Sequence, residues 1–487
     1  MSGPKTSHEG QALWTGAEVA AAVGGRCTAP FDATGVSIDS RTSQPGDLFI
    51  ALQGPSFDGH AFVADALSHN IAGAVVSHLP LGVAEDAPLV VVGDTLEALG
   101  ELGRHARLRS RARVTGVTGS VGKTGTKEAL KLALGDQGPT SANEGSLNNH
   151  WGLPLSLARM PEDTRFGVFE MGMNHAGEIE PLSRLARPHV ALVTTVEAVH
   201  GAFFSSTDEI ADAKAEIFAG MEGGGAAVLN RDNPYFGRLK TAARARDIKD
   251  ILGFGVHADS VARLVELNIG PEFSDVVAEV AGHRVSYRIG IPGRHWAVNS
   301  LGVLAAVLAV GADVEMAAQA LRALTPTNGR GRRHRVRIPG GAFRVIDESY
   351  NANPASMRAA IEVAGRTPPD PGGRRFAVLG DMLELGKESE SYHADLAPVL
   401  ENNGVDLVFT AGPHMAHLWG KLPPPMRGGH AASAEKLAPL VVSAVRPGDV
   451  VTVKGSAGSR TGQIVRALLA LDTDDSGYNP QRVVNGK

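Results

Sequence analysis

The sequence predicts an α/β protein of three domains, and three observations point to this fold class. The chain has 487 residues, which is too long for a single hydrophobic core. Short apolar segments alternate with segments of helical spacing along most of the chain, a pattern typical of parallel sheets covered by helices. A glycine-rich loop, TGSVGKT at 118–124, joins one such apolar segment to a helical segment.

The first α/β domain is predicted at residues 1–110, where the turn signals QPGD and SFDGH separate short strands and helices. The central domain is predicted at 111–330 and opens with the glycine-rich loop. Its segments FGVFEMG, HVALVTTV and AAVLN are apolar on both faces, which indicates buried strands of a mainly parallel sheet. Between 261 and 291, alternation as in VSYRI favours antiparallel hairpins before the helix WAVNSLGVLAAVLAVG.

A basic segment, GRGRRHRVR at 329–337, marks the start of the third domain, which is predicted at 331–487. We interpret this segment as a solvated or phosphate-facing linker rather than a nucleic-acid patch. Beyond it, FRVIDES, RFAVLGD, DLVFTAG and DVVTVKG are predicted strands with room for a helix between them. They indicate a separate, Rossmann-like α/β domain. The tail after about residue 472 is polar and is predicted to fray.

Composition places the chain among ordinary globular proteins. It is 43% hydrophobic and 20% charged, and its net charge of −5 gives no indication of a nucleic-acid partner. Cys27 is the only cysteine, which excludes internal disulfides and cysteine-based metal sites. No apolar stretch approaches the ~20 residues needed to span a bilayer. We therefore expect a cytoplasmic protein without a membrane partner.

The glycine-rich loop has the setting of a phosphate-binding loop, because the β-branched ARVTGVTG precedes it and the helical KEALKLALGD follows. Backbone N–H groups around Gly119 and Gly122 are expected to bind a phosphate at the helix N-terminus. Lys123 would reach the β- and γ-phosphates, and the Thr124 hydroxyl would face Mg²⁺. A Walker A loop has its first glycine where this chain has Val117. The alternative is an ordinary glycine-rich turn, which does not explain the adjacent lysine and threonine.

Two metal-capable side chains follow neighbouring predicted strands. Glu170 ends the strand in FGVFEMG, and His200 comes shortly after HVALVTTV. Ligands bind at the carboxyl ends of strands in open α/β sheets, so the pair favours a Mg²⁺ site, although each residue alone could be structural. Lys214 lies in the helical segment DEIADAKAEIF. Composition alone favours a surface lysine there, paired with Asp212 or Glu216.

The motifs together resemble the Mur ligase superfamily. TGSVGKT is similar to its loop T-G-x-x-G-K-[ST], which lacks the first Walker glycine. EMGMNHAGEI, the segment around His200 and AKAEIF resemble the same superfamily in order and spacing. The most specific motif is IDESYNANPASM at 346–357, which resembles a D-x-SYNANP signature within the superfamily.

The resemblance extends over almost the whole chain, from about residue 15 to 470. VLGDMLELG at 378–386 and VKGS at 453–456 agree with it. The N-terminal DSRTSQPGDLFIALQGPSFDGHAFV at 39–63 resembles a UDP-sugar-binding domain of the superfamily. The implied architecture is a UDP-muramoyl-peptide-binding domain, a central P-loop ATPase domain and a C-terminal Rossmann-like ligase domain.

The reaction that the resemblance implies is a step of peptidoglycan synthesis in the cytoplasm. ATP would phosphorylate the terminal carboxylate of a UDP-muramoyl-tripeptide. The amine of D-alanyl-D-alanine would attack the acyl phosphate, giving the pentapeptide precursor, ADP and phosphate. The expected cofactors are ATP and Mg²⁺, the partners are these small-molecule substrates, and the expected oligomeric state is a monomer.

The resemblance also implies site residues. Those expected to bind ATP are Gly119, Ser120, Gly122, Lys123, Thr124, Asn299 (adenine), Arg330 and Asp347 (ribose or the linker). Those expected to bind metal are Thr124 for the first Mg²⁺ and Glu170, His200 and a carbamylated Lys214 for the second. Those expected to contact the other substrates are Asp39, Ser40 and Arg41 (uridine-sugar), Asn148 and Asn149 (phosphates and tripeptide), and Tyr350, Asn351 and Asn353 (dipeptide). Lys123, Glu170, His200 and Lys214 are the expected catalytic residues.

Other activities stay open at this point. One is another amide ligase of the superfamily, such as the diamino-acid-adding enzyme or a folate polyglutamate ligase. The diaminopimelate-adding enzymes carry D-N-P-R in the C-terminal domain, whereas this chain has only DNPY at 232–235 in the central domain. A simple kinase or nucleotide-binding module would not need the third domain. The chain departs from the superfamily pattern at Thr195, Glu348 and Arg460.

Overall fold

The computed structural model describes residues 12–54, 57–198, 203–221 and 223–473. Three of the sheets in these ranges have five or more strands, and the strands of all three are mainly parallel. One of these sheets lies in each predicted domain, which confirms the α/β fold class. Within the described ranges, no helix is both long and apolar enough to cross a membrane. Of the tail that was predicted to fray after about residue 472, residues 474–487 lie outside the described ranges.

The first sheet belongs to the N-terminal part of the chain. Its elements, with the short strands around it, are β1 (Trp14–Thr15), α1 (Gly16–Val23), β2 (Arg26–Cys27), β3 (Asp32–Ala33), β4 (Gly35–Ser37), β5 (Asp47–Ile50), β6 (Gln53–Gly54), β7 (Phe57–Asp58), α2 (Val63–Ser68), β8 (Gly73–Val76), β9 (Leu89–Val91) and α3 (Thr95–Arg109). The strand order is β2-β9-β8-β5-β4, with β2 antiparallel to its neighbour. Helices α1 and α3 pack on one face and α2 on the other.

The central sheet has nine strands. The elements of this part of the chain are β10 (Arg113–Thr118), α4 (Lys123–Gly135), β11 (Thr140–Ala142), α5 (Gly152–Ala158), β12 (Phe166–Glu170), α6 (Ile179–Ala186), β13 (Val190–Val193), α7 (Thr207–Ala215), β14 (Ala226–Asn230), α8 (Phe236–Arg244), β15 (Asp250–Gly255), β16 (Ala262–Ile269), β17 (Ser274–Val280), β18 (His283–Ile289), α9 (Arg294–Ala309) and α10 (Val314–Ala320). The order is β11-β12-β10-β13-β14-β15-β16-β17-β18. The last three strands pair antiparallel, which confirms the predicted hairpins.

Strand order explains where a ligand can bind in the central sheet. Strand β10 lies between β12 and β13, and all three are parallel. Their carboxyl ends therefore lie side by side, and α4 starts directly after the loop that follows β10. Helices α4 and α9 pack on one face of the sheet, while α6 and α7 pack on the other. The phosphate-loop segment and Glu170 are therefore placed at the same edge.

Helix α5 connects the central sheet to the N-terminal sheet. Leu155 and Ala158 of α5 are buried in the same apolar cluster as α3. Trp14 donates through Nε1 to the Ala158 carbonyl at 2.8 Å, and Arg159 donates through Nε to the Val36 carbonyl at 2.6 Å. These contacts fix the N-terminal part of the chain against α5 of the central part.

The C-terminal sheet has six strands. Its elements are β19 (Arg332–Ile338), β20 (Gly341–Glu348), α11 (Pro354–Arg366), β21 (Arg375–Gly380), α12 (Ser389–Ala394), α13 (Leu396–Asn402), β22 (Leu407–Ala411), α14 (Met415–Lys421), β23 (Arg427–Ala431), α15 (Ala434–Ala444), β24 (Val450–Lys454) and α16 (Gly462–Leu469). The order is β19-β20-β24-β21-β22-β23, and only β19 is antiparallel to its neighbour. The four predicted strands of this domain are confirmed.

The linker interpretation of the basic segment is wrong from Arg332 onward, because this stretch forms the edge strand β19. Charged side chains are common on edge strands, where they discourage pairing with other chains. In β19 only Val336 is buried. The segment therefore lacks the alternation of apolar and polar residues by which a strand is recognised in a sequence. The proposed domain limits at 110 and 330 stay a prediction.

Candidate active site

The phosphate loop is shaped by two glycines with positive φ, +143° at Gly119 and +87° at Gly122. A Cβ at Gly119 would overlap Thr194 Oγ1, so this position requires glycine. Val117, which stands at the Walker glycine position, is a fully buried residue of β10. The Lys123 side chain folds back over the loop, and its Nζ donates to the Gly119 carbonyl at 2.7 Å. The two glycines therefore set the course of the loop, and the Lys123 ammonium lies over it.

Glu170 and Thr124 meet where β12 ends and α4 begins. The Glu170 carboxylate is 2% exposed and accepts hydrogen bonds from Thr124 Oγ1 at 2.8 Å and from Asn148 Nδ2 at 2.7 Å. The Glu170 backbone N–H also donates to Asn143 Oδ1 at 2.9 Å. These contacts bring together three residues that the sequence placed in the site. The fourth residue expected near this point, His200, lies outside the described residues.

Lys214 is a buried residue of α7 and not a surface lysine, so the interpretation from composition is wrong. Its supposed partners are engaged elsewhere. Asp212 accepts from Arg238 at 2.6 Å, and Glu216 accepts from the backbone N–H groups of Gly177 and Ile179 at the start of α6. Among the described residues, no hydrogen bond or ion pair involves the Lys214 amine.

The environment of Lys214 favours a neutral amine. Burial lowers its pKa well below the ordinary value of 10.5, and the positive charge of Lys123 lowers the pKa further, while Glu216 opposes the shift. A neutral amine is the form that reacts with CO₂ to give a carbamate.

The residues expected to bind the rest of ATP lie on two domains. Asn299 of α9 faces the phosphate loop, since its Nδ2 would lie 2.7 Å from a Cβ at Gly122. The Arg330 guanidinium lies 3.9 Å from the centre of the Tyr350 ring. Asp347 is buried, and its carboxylate accepts from the backbone N–H of Gly329 at 3.1 Å. Asp347 therefore holds the turn that presents Arg330.

The SYNANP segment forms the loop between β20 and α11. Asn353 is the N-cap of α11, where its Oδ1 accepts from the Ser356 N–H at 2.9 Å. The buried Lys454 Nζ donates to the Asn351 carbonyl at 3.0 Å and pairs with Glu348 at 3.4 Å. The departure at Glu348 is therefore accommodated by an ion pair. Sequence reasoning did not select Lys454, although the VKGS motif contains it.

Asp39 and Arg41 form a bidentate ion pair in the N-terminal domain. Arg41 donates to Asp39 through Nε at 2.8 Å and through Nη2 at 2.7 Å. This hydrogen bonding lowers the pKa of Asp39. The Arg41 side chain is 65% exposed, so its outer face is free to contact a ligand.

One cleft of about 3400 Å³ is lined by residues of all three domains. The predicted site residues that line it are Asp39, Ser40, Arg41, Ser120, Gly122, Lys123, Thr124, Asn148, Asn149, Glu170, Asn299, Arg330, Asp347, Tyr350, Asn351 and Asn353. Gly119 and Lys214 are not among the lining residues. The sequence analysis missed Trp296, Arg358 and Arg466, which also line the cleft. Arg460, a departure from the superfamily pattern, lines it with a left-handed φ of +56°.

Family models match the chain in three consecutive segments. Residues 32–107 match the model described as Mur ligase family, catalytic domain, residues 117–307 match the Mur ligase middle domain, and residues 331–457 match the Mur ligase, glutamate ligase domain. The chain belongs to the Mur ligase family.

Within that family, similar proteins carry one particular name. The UDP-N-acetylmuramoyl-tripeptide–D-alanyl-D-alanine ligase of Bacillus subtilis is 34% identical over 439 residues, which cover 89% of this chain and 93% of that protein. A crystal structure of MurF from Acinetobacter baumannii superimposes with a TM-score of 0.79 at 27% identity, covering 94% of this chain and 99% of that one. The MurF ligase of Thermotoga maritima in complex with ADP gives a TM-score of 0.73 at 26% identity, covering 90% and 97%.

Proposed function

We propose that this chain joins D-alanyl-D-alanine to UDP-N-acetylmuramoyl-tripeptide in an ATP-dependent reaction that supplies a precursor of peptidoglycan. The observation that carries the proposal is the meeting of Lys123, Thr124 and Glu170 in a cleft lined by all three domains. The name of the Bacillus subtilis relative describes this reaction. The ADP-bound relative supports the use of ATP.

The chemistry explains why a ligase needs a phosphate loop. A carboxylate is a poor electrophile, so one of its oxygens first attacks the γ-phosphorus of ATP, and the bond from that phosphorus to ADP breaks. The dipeptide amine then attacks the acyl carbon, and the bond from this carbon to the phosphate oxygen breaks. The nitrogen loses a proton, and an amide, ADP and phosphate are released. A cleft enclosed by three domains would limit the hydrolysis of the acyl phosphate by water.

The phosphate-loop side chains would lower the charge repulsion in this reaction. Lys123 would leave the Gly119 carbonyl and contact the transferred phosphate. Thr124 and Glu170 provide hard oxygen donors 2.8 Å apart, a donor set that fits Mg²⁺. The bound ion would supply charge neutralisation between the carboxylate and ATP. We further infer that Glu170 would also serve a second Mg²⁺, together with His200 and a carbamylated Lys214.

The remaining site residues would bind the ends of the substrates. Asp39, Ser40 and Arg41 would contact the uridine-sugar. Asn148 and Asn149 would lie over the phosphates and the tripeptide, and Asn299, Arg330 and Asp347 would serve adenine, phosphate and ribose. Tyr350, Asn351 and Asn353 would form the side of the site that binds the dipeptide. Asn353 would act by capping α11 and so fixing the start of this helix.

We place this reaction in the cytoplasm, where its nucleotide substrates are made, with a monomer as the working unit. We propose that its partners are small molecules, without nucleic acid or membrane.

The proposed function predicts that phosphate release requires ATP, the tripeptide substrate and D-alanyl-D-alanine together. An amine must capture the acyl phosphate, so D-alanyl-D-alanine is expected to support far faster release than D-alanine or diaminopimelate. The measurement is steady-state phosphate release in reactions that each omit one substrate. Steady ATP hydrolysis at the full rate without either peptide substrate would contradict the ligase function.

A further inference from the structure

A second lysine of α4, Lys127, lies one helical turn beyond Lys123 and is completely buried. Its Nζ donates to the Asn143 carbonyl at 2.6 Å and to the Gly145 carbonyl at 3.4 Å, and it pairs with Glu128 at 2.6 Å. The three N–H donors of the ammonium therefore have three acceptors. Lys127 does not line the cleft, so it has no direct path to a substrate.

Two of the three acceptors of Lys127, the Asn143 and Gly145 carbonyls, belong to the loop that reaches Glu170. Asn143 holds the Glu170 backbone on both sides, because its Oδ1 accepts from the Glu170 N–H at 2.9 Å and its Nδ2 donates to the Glu170 carbonyl at 3.0 Å. Asn143 Nδ2 also donates to the Leu147 carbonyl at 2.8 Å, which closes the loop. The next residue, Asn148, donates to the Glu170 carboxylate at 2.7 Å.

Helix α4 thus contacts Glu170 by two routes. One is direct, from the Thr124 hydroxyl. The other runs from Lys127 through the loop at 143–148 to both the backbone and the carboxylate of Glu170. Two routes from one helix define the position of a carboxylate relative to the phosphate loop more closely than one hydroxyl contact can.

We propose that Lys127 is a positioning residue, which fixes the 143–148 loop and thereby the Glu170 carboxylate in the orientation that receives Mg²⁺. The role in Mg²⁺ binding rests on the proposed function, whereas the contacts of Lys127 with the loop do not depend on it. Removing the ammonium would leave the buried Asn143 carbonyl without this donor and the exposed Gly145 carbonyl without its contact, which would free the loop at little cost to the phosphate loop itself. Groups that orient metal ligands typically change metal affinity or activity by about 10–100-fold when they are removed.

The test compares Lys127→Met, which keeps the length of the side chain and removes its charge and donors, with Lys131→Met. Lys131 lies on the same helix one turn further on and is exposed, so it is a matched control. The first measurement is hydrogen exchange of the protein without ligands. Lys127→Met is expected to speed exchange in the peptides that contain 143–148 and 170–172, whereas Lys131→Met is expected to leave them unchanged.

The second measurement is calorimetric titration with ADP, with and without Mg²⁺. Lys127→Met is expected to weaken the binding of ADP with Mg²⁺ by about 10–100-fold and to leave metal-free ADP binding near the wild-type value. If Lys127→Met does not fold, Lys127→Gln replaces it. The shorter amide can keep at most the donor to the Asn143 carbonyl and loses the contacts with Gly145 and Glu128, so a smaller change in the same direction is expected.

Two results would overturn the proposal. One is unchanged exchange in both segments, and the other is an equal loss of ADP binding with and without Mg²⁺, which would indicate general destabilisation. Neither measurement uses the tripeptide or the dipeptide. A chain that failed to form the peptide bond would therefore contradict the proposed function and leave this test intact.

Discussion

Lys214→Met is expected to reduce turnover by about 10²–10³-fold, the scale of losing one group that stabilises charge in the transition state, because it removes the amine that we propose is carbamylated to hold the second Mg²⁺. An ammonium would repel the ion, whereas a carbamate offers anionic oxygens that suit a hard cation. Burial and the charge of Lys123 lower the pKa of Lys214, so the neutral amine needed for the reaction with CO₂ is accessible. The measurement is the rate of phosphate release with all three substrates at a fixed bicarbonate concentration.

The same substitution is expected to leave the folded protein as stable as before or more stable. The folded state lowers the pKa of Lys214 from its ordinary value of 10.5, so in the absence of CO₂ the unfolded state binds more protons below that value. The stability of the wild type therefore falls as the pH falls below 10.5, and a methionine removes this dependence. Thermal unfolding of both proteins at several pH values measures the difference, which is expected to shrink as the pH rises.

The control for this loss of turnover is Lys249→Met, which changes an exposed lysine of the same domain. It is expected to keep wild-type turnover. Short-chain carboxylates are expected to restore part of the activity of Lys214→Met by replacing the carbamate oxygens. Near-normal turnover of Lys214→Met would show that the buried amine has no part in the reaction.

Glu170→Gln is expected to lower turnover by about 10²–10³-fold, which is the scale of losing one group that stabilises charge in the transition state. The amide has the shape of the carboxylate, and the Thr124 hydroxyl can rotate to accept from it, so folding is expected to change little. The loss of the negative charge should also raise the Mg²⁺ concentration needed for half-maximal turnover. Titrating Mg²⁺ against phosphate release for both proteins measures both effects.

The matched control is Glu180→Gln. Glu180 forms an exposed pair with Arg184 at 2.6 Å, and exposed pairs contribute only about 0–1 kcal/mol. Turnover and Mg²⁺ dependence of this control are expected to equal those of the wild type. An equal Mg²⁺ requirement for Glu170→Gln and the wild type would remove Glu170 from the metal site.

Much of the fold could be predicted from the sequence, because its signals are local. The β-branched run before Gly119 and the helical spacing after Lys123 defined β10 and α4, and the alternation at Val285, Tyr287 and Ile289 defined the last hairpin. All three residues of that alternation are buried. Strand β19 was missed because an edge strand carries its charged residues outward, so its pattern is that of a linker.

The candidate site was predictable where residues end neighbouring strands. Glu170 was expected beside the phosphate loop because parallel strands bring their carboxyl ends together, and the structure places its carboxylate in contact with the Thr124 hydroxyl of that loop's helix. Lys214 and Lys127 could not be assigned to buried positions in this way. A lysine on a helix is usually exposed, and only tertiary packing shows that both are buried. The Lys127 ammonium donates to carbonyls 16 and 18 residues further along the chain, and no local sequence pattern reveals such contacts.

In the proposed reaction, ATP activates the tripeptide carboxylate by phosphorylating it, and the fate of the carboxylate oxygens reveals whether this step occurs. The measurement uses UDP-N-acetylmuramoyl-tripeptide with ¹⁸O in both oxygens of the reacting carboxylate, together with ATP and D-alanyl-D-alanine, and analyses both products by mass spectrometry. Phosphorylation of the carboxylate would leave one ¹⁸O atom in each released phosphate and one in each new amide, and this is the expected result. Pentapeptide formed together with unlabelled phosphate would contradict it.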